Sequence, residues 1–182
     1  STNFLPTADV PLATFALPAG AAEIDSRVLS VDWLSRQDGD ATMLAGALEK
    51  FVGAYDAWVV EEKRAAADAG EREALALSKR AEEWSTRMRR GIKRLGTDAN
   101  ARRAFATANS AMGAQMVLTA HGKSIARGGA SAPQDSLPDM TAFGGRDWRP
   151  FQLAFFLRVV DGMCDVKATD RTVADVIWFP TG

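Results

Sequence analysis

Between Met43 and Met116 apolar residues return every three or four positions, with breaks at Gly70 and at Gly96-Thr97-Asp98. That period sets them along one face of a helix, and stripes of this kind leave water only by packing on one another. The first helix is expected to start near Asp38 to Asp40. It carries Met43, Leu44, Ala47, Leu48, Phe51, Val52, Tyr55, Trp58 and Val59 on one face and continues to about Ala69, with Gly70 as its stop. A second helix is expected from about 71 to 95, with Leu77, Ala81, Trp84, Met88, Ile92 and Leu95 inward. A third, from about Asn100 to His121, would bury Ala101, Phe105, Ala108, Met112 and Met116. Three long amphipathic helices joined by short turns predict an antiparallel bundle over residues 39–122.

The flanks differ in character. Residues 1–38 hold Pro6, Pro11, Pro18 and Gly20 among scattered apolar residues, which predicts an extended N-terminal arm. Residues 123–146 shift toward Gly, Ser, Ala and Pro and read as a loop or linker. Pro150 then suits the first turn of a helix, and the almost wholly apolar run after it predicts a helix buried on most sides. A charged loop follows over Gly162 to Arg171, and Val173 to Phe179 reads as a buried strand. The fold class expected is mainly α, with one C-terminal β-strand that belongs to an α/β domain.

That strand runs into Pro180-Thr181-Gly182, which reads as the opening of a phosphate-binding loop. Such a loop needs glycines whose backbone N–H groups face the phosphates, a lysine, and a hydroxyl for magnesium. Only its first half is present, so the chain reads as a fragment that ends inside an ATP site. Upstream, Gln152 is the conspicuous polar residue of the apolar helix. Its amide offers an acceptor and paired donors, which match the edge of adenine.

Arg149-Pro150-Phe151-Gln152, followed by Trp178-Phe179-Pro180-Thr181-Gly182, resembles the glutamine motif and first nucleotide motif of superfamily 2 helicases. The wording Trp-Arg-Pro-Phe-Gln-Leu-Ala-Phe is most similar to the large helicase component of DISARM-type anti-phage defence systems. The run from Arg87 through Gln115 is also similar to the helical segment before the motor there. The resemblance implies that residues 147–182 begin the motor and that Gln152 contacts adenine. It implies further that Arg149 helps fix that motif and that Pro180, Thr181 and Gly182 start the phosphate turn. ATP and Mg would serve the intact protein, with DNA and a defence-system subunit as partners. The fragment, without the loop lysine, is expected neither to bind ATP tightly nor to hydrolyse it, and contributes no catalytic residue. A non-enzymatic helical scaffold with an accidental Phe-Pro-Thr-Gly ending is the alternative.

Arg87, Arg89, Arg90, Lys93, Arg94, Arg102 and Arg103 face a single acid, Asp98, within the same stretch. They could track a phosphate backbone, or form a solvated face paired to Glu82, Glu83 or acids in parts of the protein beyond this chain. Trp148 could line the adenine pocket or pack in the core, whereas Trp58 and Trp84 fall on apolar stripes. His121 is the one histidine, which excludes histidine triads and multi-histidine metal sites within the chain; it is expected at a helix end. The adjacent acids Glu61-Glu62 and Glu82-Glu83 diverge by roughly 100° on a helix, so no carboxylate pair is expected to act together. A net charge of −1 gives no global pull toward nucleic acid or membrane. The lone Cys164 allows no internal disulfide and suits a reducing cytoplasm.

Overall fold

The computed structural model describes residues 24–127 and 138–174. Five α-helices account for most of them: α1 (Val31–Ser35), α2 (Ala41–Ala69), α3 (Arg72–Thr97), α4 (Ala99–Ala126) and α5 (Pro150–Cys164). Single 3-10 turns lie at Ser26–Leu29 and Thr169–Thr172. Mainly α is therefore the fold class. The expected strand begins at Val173, but Val173 here only closes the second 3-10 turn and is half exposed. The rest of that strand, Pro180, Thr181 and Gly182 included, lies outside the described residues.

Local chemistry sets the helix ends. The Asp40 side chain accepts the Met43 N–H at 2.8 Å and starts α2. Gly70, at φ 70°, ends it with its N–H turned back to the carbonyls of Ala66 and Ala67. Asp98 does two jobs in one residue. Its N–H closes α3 on the Arg94 carbonyl at 2.9 Å, and its carboxylate opens α4 by accepting from Asn100 and Ala101 at 2.9 and 3.1 Å. Helix α4 continues to Ala126, so Gly122 does not stop it and His121 sits inside the helix rather than at its end.

Packing departs from a three-helix bundle. Helices α2 and α3 form the most extensive pair and α5 lies along α3, while α4 packs chiefly against α1 and meets α3 less. Helix α5 takes the place expected for α4 because Gly91 lets it approach closely; an added Cβ there would run into the Leu157 carbonyl. Val28, Leu34, Leu44, Leu48, Phe51, Val52, Ile92, Leu95, Leu153 and Leu157 make one core. The described part of the expected arm thus belongs to the core: residues 26–35 form two helical turns that bury Val28, Val31 and Leu34 completely.

Two expected stripes are rotated. In the outer half of the α2–α3 hairpin the buried residues are Val59, Ala66, Ser78 and Ser85, while Leu77, Trp84 and Trp58 are 62%, 46% and 44% exposed. Small side chains on the seam push the large ones to the flanks. In α4 the buried positions are Ala106, Asn109, Gly113 and Val117 instead of Ala108, Met112 and Met116. The ring of Phe143 seats on Gly113 and Trp148 seats on Asn109, and these two docked residues decide which face is inside.

Tyr55, the chain's one tyrosine, packs partly buried against this core. Burial, reinforced by Asp56 and opposed by Arg158, pushes its phenol from 10 up to about 12. The folded state therefore favours the neutral phenol. Its contribution is complete below pH 10 and is lost as pH rises toward 12, where the unfolded chain ionises first. The change in ultraviolet absorbance as a phenol ionises reads this residue alone within the chain, because its five tryptophans do not titrate. The native protein should titrate near 12 and the denatured chain near 10; a native midpoint near 10 would contradict the burial.

Candidate functional site

The first turn of α5 is held from three sides by the strap before it. Residues Phe143 to Trp148 turn through Gly145, at φ 70°. Phe143 is buried against Gly113 of α4. An antiparallel bridge joins Ser30 and Asp147: the Val31 N–H donates to the Arg146 carbonyl at 3.1 Å and the Trp148 N–H to the Leu29 carbonyl at 2.8 Å. The Trp148 indole N–H donates to Asn109 Oδ1 at 2.7 Å, and its ring meets Phe156 edge-on at 6.2 Å between centroids. Trp148 is thus a packing residue with a satisfied polar tip.

Arg149 follows in extended conformation as the N-cap, and Pro150 begins the helix. The Gln152 N–H donates to the Arg149 carbonyl at 2.9 Å. The Gln152 side-chain Oε1 accepts the Arg149 N–H at 3.0 Å. This is the glutamine half of a capping box, reached three residues into the helix. Gln152 is partly exposed at the surface of the helix start. The amide keeps its NH2 donors and a second oxygen lone pair beyond this bond. The structure places Arg149 and Gln152 together; Pro180, Thr181 and Gly182 lie outside the described residues.

The basic stretch is organised by acids from other elements. Arg89 reaches Glu49 and Asp56 on α2, and the Asp56 hydrogen bond holds its guanidinium more firmly charged. Arg87 and Arg90 share the Asp170 carboxylate, with Arg87 at 3.2 Å. Arg94 bonds Asp161 at 2.9 Å and Asp165 at 3.2 Å across to α5 and the residue that follows it. Arg102 donates to the Leu95 and Asp38 carbonyls at 2.9 and 3.4 Å. Lys93 and Arg103 are exposed. The expected pairing to Glu82 gives way to Lys63, which holds Glu82 at 2.6 Å across the hairpin. The sequence shows the charge excess, whereas its partners are up to 83 residues away.

Asn109 has a structural role that its place in the helical segment does not announce. It is wholly buried, and its Nδ2 donates to the Phe105 carbonyl at 2.8 Å. The available signal was an asparagine, a poor helix former, in the middle of an alanine-rich helix. Cys164 ends α5 at the surface, where desolvation still pushes its thiol up and favours the protonated form. Among the described residues no group of three His, Cys, Asp or Glu side chains could hold a metal, and no helix is long and apolar enough to cross a membrane.

Fold and site together define a helical assembly built on one central, ion-paired helix, with a capped glutamine turn held against it. No family model matches the chain. The chain is similar to the DISARM protein DrmA of Bacillus paralicheniformis, with 29% identity over 186 aligned positions. The match takes in 98% of this chain and 16% of that protein, so the chain spans a small part of its relative's length. The relation is thus DrmA-like across nearly all of this chain.

Proposed function

We propose that this chain is the helical region and ATP-site edge of an ATP-dependent DNA helicase or translocase of bacterial anti-phage defence. The similarity to DrmA over 98% of the chain carries the reading. The first turn of α5 supports it chemically, because Gln152 is partly exposed and retains amide donors for an adenine edge. Pro180, Thr181 and Gly182 would open the phosphate turn, and ATP with Mg would bind only where the rest of that turn is supplied.

The test is made on the full-length protein that carries this chain. Gln152→Ala leaves one adenine hydrogen-bond pair unmade, worth about 1 to 3 kcal/mol, so KM for ATP should rise roughly 5- to 150-fold. Thermal stability should fall by only about 1 kcal/mol, for the lost cap. Unchanged ATP kinetics would remove the adenine role.

A non-enzymatic scaffold is favoured by a different observation: five of the seven basic residues are committed to internal acids or carbonyls. On that reading α3 is the hub of an interaction module, and of the seven only Lys93 and Arg103 are left for DNA. DNA-stimulated ATP turnover in the full-length protein separates the two readings.

A further inference from the structure

We propose that Asn109 is a positioning residue for the Arg149–Gln152 turn and that it acts through Trp148. This rests on the adenine-reading role of Gln152 proposed above. Both ends of the Asn109 amide are engaged: Oδ1 accepts from the indole at 2.7 Å, and Nδ2 donates to Phe105 of its own helix at 2.8 Å. Reversing the amide would set a donor against the indole N–H and an oxygen against a carbonyl, so one orientation is enforced. A wholly buried amide in a helix costs stability unless satisfied. Alanine or leucine would serve a packing role at lower cost.

What the amide orients is the residue next to the N-cap. Trp148 is fixed at its backbone by Leu29, at its ring by Phe156 and at its indole nitrogen by Asn109. Phe156 in turn packs its ring at a tilt against Phe105, 4.9 Å between centroids, one turn before Asn109. Arg149 is bonded directly to this residue in the chain, and its N–H holds Gln152 Oε1. Without the Asn109 acceptor, the indole N–H must turn toward water to find a partner. The N-cap then turns with it, and the Gln152 amide is less often in the reading position.

In the full-length protein, Asn109→Leu and Trp148→Phe should each raise KM for ATP about 5-fold, the equivalent of one hydrogen bond, with kcat changed by less than about 2-fold. Both should narrow the preference for ATP over GTP. The double variant should do no more than either single one, since both remove the same bond. Trp148→Phe keeps a ring beside Phe156, so a folding defect in Asn109→Leu does not decide the matter. Variants that lower Tm but keep wild-type KM and nucleotide preference, in a protein impaired by Gln152→Ala, would make Asn109 a packing residue only and overturn the inference. If Gln152→Ala itself leaves nucleotide kinetics unchanged, the adenine reading falls and takes this inference with it.

Discussion

Gly91→Ala should destabilise the fold by about 3 kcal/mol or more, the upper range for overpacking. The new methyl would run into the Leu157 carbonyl oxygen and lie 3.1 Å from its carbon, with Val160 Cβ at 3.5 Å. A backbone carbonyl inside a helix cannot step aside as a side chain can. Relief therefore requires α5 to move away from α3 as a body, which opens the seat of Leu153 and Leu157, both wholly buried. The ion pairs of Arg94 with Asp161 and Asp165 would lengthen at the same time. Chemical denaturation of the variant measures the loss. Gly46→Ala and Gly53→Ala are the controls, since nothing lies within 4 Å of an added Cβ at either helical site. Each should stabilise by about 0.5 to 1 kcal/mol through helix propensity. Equal behaviour of all three variants would refute the close crossing.

Gly113→Ala should be the next most damaging change, at about 1 to 3 kcal/mol. Here the methyl meets two Phe143 ring atoms at 2.7 Å and a third at 3.0 Å. The obstacle is a side chain, so the ring can leave its seat, and the cost becomes the burial that Phe143 gives up. The strap would lose one of its anchors while the Ser30–Asp147 bridge remained. Proteolysis should then cut first within residues 138–147, well before global unfolding; a variant as resistant as wild type would show that the Phe143 seat contributes little.

Helix boundaries were legible because caps are local. Asp40, Gly70 and Asp98 each act on residues within four positions of themselves, and the expected breaks fall beside them. Facing was less legible, because the partner decides it. Nothing near Leu77 or Trp84 in the chain reveals that Ser78 and Ser85 take the seam, and nothing near Asn109 announces Trp148, 39 residues later. The basic run shows the same division: its charge is local, but Asp170 and Glu49 reach it through tertiary structure. Gln152 lies between the two cases. It stood out as the polar residue of an apolar helix, and its position two residues after Pro150 also marks a capping-box glutamine. One side chain thus has a local structural duty as well as the ligand role proposed for it.

The pairing of Leu29 and Val31 with Arg146 and Trp148 closes a chain loop that contains every long helix but the last. Neighbouring hairpins such as α2–α3 form from contacts near in sequence, whereas this closure must wait for distant ends to meet. The seat of the Gln152 turn is therefore completed late in folding. A lesion among residues 26–35, far along the chain from α5, would loosen that turn without touching any residue in it.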